Sequence, residues 1–479
     1  MGLLGILVGL LLLIWLAYRG WSILLLAPAA ALIAAAAAGE PLLAHWTQTF
    51  MGSAARFLAK FFPLFLLGAL FGKLMEDSGS VASISAYVTK RLGERRAILA
   101  VVLAGALVTY GGVSLFVAFF VLAPMAQAMF RAADIPRRLM PAAIALGTST
   151  FTMSAMPGTP SIQNAIPMPF FGTTPLAAPG LGVIGSIVML GFGLWWLNRA
   201  ETAARRSGEG FGSDGGAQPN GAAEEPATTA PECDFPEVHR GRAPDALPPI
   251  AAAALPLVVV VSVNFLMSAF VLPRLDLGFL AEPRWGGTTL SAVGGVWAVV
   301  VALAAAILTL LIVSGWRLPR LQESMEAGAS ASVLPAVGVA SLVGFGAVVA
   351  ALPAFSVVRD WVLSIEGGPL VSLAIATNVL SALTGSASGG LTITLDALGD
   401  TYLRLAHEIG VNPELMHRVA VISSGTLDSL PHNGAVVTLL AVCGLTHRES
   451  YFDIVMVAVV GAMIALIAVI GLGTVFGSF

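Results

Sequence analysis

Apolar runs of ~17 to 25 residues, each long enough to cross a bilayer as a helix, recur along the whole chain. Gly2 to Tyr18, Trp21 to Ala38 and Phe57 to Met75 predict three spans. A mixed segment, Val81 to Arg96, follows them. Ala97 to Phe130 is apolar again but is interrupted by Thr109, Gly111 and Gly112. Leu139 opens a span that breaks at Gly147 to Thr150 and again at Met156 to Pro160. Ile162 to Pro175 predicts a Pro- and Gly-rich exit, and Leu181 to Leu197 a return span. After a long polar stretch the style repeats, with spans near Pro248 to Val271, Leu290 to Val313 and Ser332 to Ala351. Ser356 to Glu366 reads as interfacial. Leu370 to Arg404 is broken at Thr384 to Gly390, Val419 to Val442 at Gly425 to Gly434, and Ile454 to Val475 is the last span.

Lys and Arg in short loops orient such spans. Arg19, Lys90, Arg91, Arg131, Arg138, Arg205 and Arg317 are expected in the cytoplasm, which puts both termini outside it. Basic clusters flank both ends of Ala97 to Phe130. A single crossing strands one cluster on the wrong side, and two full spans leave each limb short of ~30 Å of hydrocarbon. A re-entrant hairpin with its tip at Gly111 and Gly112 keeps both clusters inside. Met1 to Tyr18 lacks a basic start and a clean cleavage site, so it reads as the first span and not a removed leader.

Arg199 to Leu247 is rich in Gly, Ala, Pro and Glu and has almost no apolar periodicity. It predicts a disordered cytoplasmic linker. The chain then divides into 1–198, 199–247 and 248–479. The two flanking parts repeat one another at an offset of about 275 residues, the paired interrupted segments that mark a transporter site. Thr109 to Ser114 matches Thr384 to Gly390, Pro136 to Met140 matches Pro413 to Met416, and Gly147 to Thr150 with Pro157 matches Ser423 to Thr426 with Pro431. Five spans and one hairpin per part make the repeats inverted. The expected fold is an all-α polytopic membrane protein with a re-entrant hairpin and a broken helix in each repeat.

Composition sharpens this class. The chain is 57% hydrophobic and only 11% charged, with mean hydropathy +0.88. Soluble chains carry ~25% charged residues. Two cysteines, Cys233 and Cys443, suggest neither a disulfide framework nor a metal site. The histidines are scattered, with no metal or nucleophile pattern on a span and no nucleotide-binding loop. An enzyme, a cofactor and a nucleic-acid partner are not expected.

The chemistry is expected where the helices break. A break inside a bilayer is tolerated only when protein or a water-filled cavity surrounds it. Half-helix N-termini offer free N–H groups and a positive dipole end, which favour a carboxylate. No Arg or Lys pair inside the spans is expected to do this instead. Thr109, Gly111, Ser114, Thr150, Ser154, Ser386, Ser388, Thr426, Ser429 and Asn433 are the candidate substrate-binding residues. Small residues of this kind also serve close helix packing.

Gly72-Lys73, Ser78-Gly79, Pro157 to Pro160, Gly385 to Ala387, Pro413 to Met416, and Gly425 with Asn433 resemble the gluconate permease family. The resemblance covers nearly all of the chain outside the linker. It implies the ion-transporter superfamily fold, proton symport of gluconate and related acids, a homodimer and an elevator-type movement. The chain departs from the family at Phe151 to Met156, which lacks histidine, at Ser381, where members commonly carry Arg, and in Asp428 and the displaced His432. Fewer polar and basic groups suggest a smaller acid such as 3-hydroxybutyrate.

The expected function is proton-coupled uptake of a small hydroxy-monocarboxylate across the inner membrane. A sodium-coupled organic anion transporter and an anion channel are the alternatives. A proton carrier needs a group that titrates near the working pH. An imidazole does so at ~6.5 and a buried carboxyl is moved towards that range. His432 and Asp428 are therefore the candidate coupling pair, against a plain structural Asp–His hydrogen bond.

Overall fold

The computed structural model describes residues 2–19, 21–93, 96–212, 247–431 and 433–479. Among these residues all regular structure is helical. The first part runs α1 (Gly2–Tyr18), α2 (Ile23–Ala38), α3 (Met51–Asp77), α4 (Ser80–Leu92), α5 (Ala97–Tyr110), α6 (Leu115–Ala132), α7 (Met140–Thr148) and α8 (Pro179–Ser207). The second runs α9 (Ile250–Leu266), α10 (Leu290–Ser314), α11 (Leu321–Ala351), α12 (Phe355–Leu363), α13 (Gly368–Thr384), α14 (Ala387–Ile409), α15 (Pro413–Thr426), α16 (Gly434–Cys443) and α17 (His447–Phe476). α3, α8, α10, α11 and α17 fall within helices long and apolar enough to cross a membrane, and α9 does so together with the short turns up to Arg274. Large apolar side chains such as Ile187, Leu308, Ile312 and Ile467 point outward, as lipid-facing residues do.

The two parts are packed in the same pairs. α1 lies on α2 as α9 lies on α10, and α5 lies on α7 as α13 lies on α15. α3 crosses α11, and α8 crosses α17. Small residues permit these close approaches. A Cβ on Gly9 would stand 2.7 Å from the Ala30 carbonyl, and one on Gly328 would stand 3.0 Å from the Leu70 Cα.

α5 and α6 form one hairpin, and α13 and α14 another. At the first base, the Thr89 hydroxyl at the end of α4 lies 3.4 Å from the Met129 sulfur near the end of α6. At the second base, Ser372 and Tyr402 share a hydrogen bond of 2.8 Å.

Several boundaries differ from the sequence expectation; the third and last spans begin earlier, within helices that start at Leu42 and His447. α11 begins at Leu321, not Ser332, because polar Gln322, Glu323 and Glu326 continue the helix where hydropathy alone does not register it. α8 runs on through Ser207, so the first residues expected to be disordered are helical. Arg205 pairs with Glu201 one turn earlier at 2.8 Å and donates to the Ala133 carbonyl at 3.0 Å. Beyond the helix, Glu209 receives Arg138 at 2.7 Å. The remainder of that expected linker, 213–246, lies outside the described residues.

Candidate functional site

Each hairpin tip sits on a broken helix. At the first, α5 stops at Tyr110 and the chain reverses through Gly112, whose φ of +94° suits a residue without a Cβ. The Thr109 hydroxyl donates to Gly105 at 2.8 Å and lies 3.2 Å from the Thr152 hydroxyl, which is bonded to the Gly147 carbonyl at 3.1 Å. Tyr110 donates to the Pro157 carbonyl at 2.9 Å. Gly111 faces Leu257 of α9, where any side chain would collide. Ser114 opens α6, its backbone nitrogen 3.3 Å from where a Cβ on Gly72 would stand.

At the second tip, α13 ends on Gly385, with φ +60°. The Ser386 hydroxyl accepts the Gly389 N–H at 3.1 Å and caps α14. Ser388 lies 3.4 Å from it, hydroxyl to hydroxyl. α15 ends at Thr426, and Leu427 to Asn433 separates it from α16. Asn433 holds this break together. Its side-chain oxygen accepts the Ala435 N–H at 2.6 Å and the Val436 N–H at 3.3 Å, capping α16. Its amide nitrogen donates to the Gly385 carbonyl at 3.0 Å and to the Asp428 carboxylate at 2.7 Å. Asp428 also faces the backbone N–H of Ala387, the first residue of α14. A carboxylate thus occupies the positive end of a half-helix, where the dipole favours negative charge. Removal from water opposes that charge.

The broken helices cross at Ser154 and Gly425. A Cβ on Gly425 would come within 3.2 Å of the Ser154 Cβ. Thr150, Ser154 and Thr426 lie around this crossing, but their hydroxyls donate to their own helices, at Leu146, Thr150 and Ile422. Next to it is a cavity of about 20 Å³, lined by Leu115, Phe119, Ser149, Met153, Asp428, Ser429 and Asn433 among others. It has room for roughly one water.

Among the candidates, the cavity brings Asp428, Ser429 and Asn433 together. Thr109, Gly111 and Ser114 gather at the first tip and Ser386 and Ser388 at the second. His432 lies outside the described residues. Asp428 lies beyond the end of α15, which stops at Thr426.

Sequence reasoning missed the most deeply buried charge among the described residues. Arg418 in α15 is fully buried. Its Nε and one Nη donate to the Ala177 carbonyl at 3.1 and 2.6 Å, and its other Nη lies 3.4 Å from the Asn164 side-chain oxygen. Neighbouring His417 bonds Thr173 at 2.6 Å and Asn164 at 3.1 Å. These bonds pin the loop between Thr159 and Ala178 onto α15. The adjacent His417 and Arg418 inside an apolar run were the available signal. Ser149, also missed as a single residue, stands in the first break and lines the cavity.

Lipid-facing helices around two hairpins, with two broken helices crossing beside a small cavity that Asp428, Ser429 and Asn433 reach, define a polytopic membrane transporter. The model of the GntP family permeases matches residues 1–176. The "Uncharacterized transporter YxjC" of Bacillus subtilis (strain 168) is 40% identical over 98% of this chain and 99% of its own length. The chain belongs to the GntP family of permeases, which are transporters and not enzymes. In fold it is similar to the YdaH transporter of Alcanivorax borkumensis, whose crystal structure was described as having an unusual topology. The match has a TM-score of 0.52 at 16% identity and covers 91% of this chain and 89% of that one.

Proposed function

We propose that this permease is a secondary active symporter that carries a small hydroxy-monocarboxylate together with a proton into the cell across the inner membrane. The observation that carries the proposal is the position of Asp428. Its carboxylate faces the Ala387 N–H at the N-terminal end of α14, the kind of site that suits a substrate carboxylate. Two anions do not share that end. Protonation of Asp428 removes its charge and releases the N–H groups for the incoming acid. Deprotonation towards the cell interior expels it. One carboxyl thereby links proton and anion in a fixed ratio.

The proposed site spans both tips: Thr109, Gly111 and Ser114 with Thr150 and Ser154, and Ser386, Ser388, Thr426, Ser429 and Asn433 around Asp428. The proposed topology is two inverted repeats, 1–198 and 248–479, joined by a cytoplasmic linker, with both termini outside and both hairpins re-entrant. Support for hairpins that return to the face they start from is the contact of Thr89, just before the first hairpin, with Met129 near its end, and the hydrogen bond between Ser372 and Tyr402 across the second. The proposed assembly is a homodimer, on the family resemblance.

The test is uptake by purified protein in liposomes under imposed gradients. Saturable accumulation of gluconate or 3-hydroxybutyrate driven by a pH gradient supports the reading. Accumulation that follows a sodium gradient at fixed pH replaces the proton, and uptake of succinate or citrate with none of the hydroxy acids overturns the substrate class.

A further inference from the structure

A second cavity lies away from the hairpin tips, in the outer surface between α4 and α6. It measures about 370 Å³ and is lined by Ala82, Ser85, Thr89 and Lys90 of α4 and by Val121, Met125 and Met129 of α6, among others. That volume lies in the range of ligand sites. The walls are apolar apart from three groups. Thr89 is spoken for, since its hydroxyl donates to the Ser85 carbonyl and meets the Met129 sulfur. Ser85 is 2% exposed and its hydroxyl oxygen has no hydrogen-bond partner, an arrangement that costs stability unless something fills the groove. Lys90 stands at the rim in the last turn of α4, next to Arg91, and makes no ion pair with any described residue.

We propose that this groove holds an acyl chain of an anionic phospholipid, with the lipid phosphate on Lys90. Cationic pockets between membrane helices on the cytoplasmic side recognise such headgroups. The order of groups along α4 fits a phospholipid. Lys90 at the rim meets the phosphate. Ser85, about 7.5 Å of helix rise away, donates to an ester carbonyl. Val121, Met125 and Ala128 receive the hydrocarbon, and the flexible methionines adapt to its shape. Because α6 is one limb of the first hairpin, the lipid bridges that limb to α4, and its presence bears on how freely the hairpin moves. The groove shares no residue with the proposed substrate site, so this inference does not depend on the transport reading.

The experiment is native mass spectrometry and thermal melting of the full-length protein, washed free of lipid and titrated with phosphatidylglycerol or phosphatidylcholine. Wild-type protein is expected to retain phosphatidylglycerol about fivefold better than phosphatidylcholine, the effect of one basic group at the membrane surface. Lys90→Gln removes that preference, and Ala128→Leu, which fills the groove, removes retention of both lipids. Met125→Leu, close in volume, reports whether any loss in Ala128→Leu comes from misfolding, and it keeps wild-type retention. Equal retention of the two lipids by wild type, or an unchanged preference in both Lys90→Gln and Ala128→Leu, overturns the proposal. A cysteine at Ala86 that crosslinks two copies in membranes also overturns it, because a second chain then covers the groove.

Discussion

The amide nitrogen of Asn433 stands 2.7 Å from the carboxylate of Asp428, and the same side chain caps the helix that follows. Five residues separate the two positions, yet neither lies in a helix. Asn433 therefore ties the charge of Asp428 to the geometry of the second break and, through Gly385, to the second hairpin tip.

Asp428→Asn is expected to abolish coupling and leave binding. An electroneutral symporter of one proton and one monoanion sustains about tenfold accumulation per pH unit, since each factor of ten is 1.4 kcal/mol. The variant accumulates no acid above the outside concentration but still exchanges labelled for unlabelled acid at equal concentrations. Accumulation retained by Asp428→Asn removes this residue from the coupling.

Asn433→Ala takes away a helix cap and the bond to Gly385 together. Loss of a cap alone costs ~0.5 to 2 kcal/mol. Melting of the detergent-solubilised variant at a lower temperature, with uptake reduced and protein still in the membrane, is the expected result. Ser429→Ala, which leaves the cap intact, separates the two effects: it lowers apparent affinity with little change in melting.

The seating of the first hairpin rests on a glycine. A Cβ on Gly147 would come within 3.0 Å of the Val102 carbonyl carbon, so Gly147→Ala forces α5 and α7 apart. Overpacking of this kind costs ~1 to 3 kcal/mol. Gly68 has nothing within 4 Å of its would-be Cβ, and Gly68→Ala serves as the control. The first variant melts lower than wild type and the second does not.

Arg418→Met tests whether the buried guanidinium serves the fold or the substrate. It removes every donor to the Ala177 carbonyl and leaves that acceptor unsatisfied, at ~1 to 3 kcal/mol. The expected variant is less stable, and the Michaelis constant of the protein that survives is unchanged. A large rise in that constant without loss of stability would instead place Arg418 at the substrate.

Cysteines at Arg91 and Ala132 are expected to react with an impermeant thiol reagent from the same face of the membrane, and one at Glu408 from the opposite face. Arg91 and Ala132 reacting from different faces would make α5 and α6 one net crossing and not a hairpin that returns.

The sequence by itself determined the helices and where they break. Apolar length fixes a span because the hydrocarbon has a thickness, and Gly112, Gly385 and Pro431 interrupt helices for reasons local to their own backbone. It also pointed to a repetition of the two parts, since the breaks recur at one spacing. Side-chain direction was not legible. Thr150, Ser154 and Thr426 read as ligands, but their hydroxyls turn back to their own helices, and nothing in a hydroxyl's identity distinguishes the two. Arg418 reads as an interruption of an apolar run. Only the loop from Thr159 to Ala178, more than 200 residues earlier, supplies the carbonyl and amide oxygens that allow it to be buried. Tertiary structure decided these matters because the partners that satisfy a buried polar group come from whichever segment packs there, and that segment is set by the meeting of the two halves.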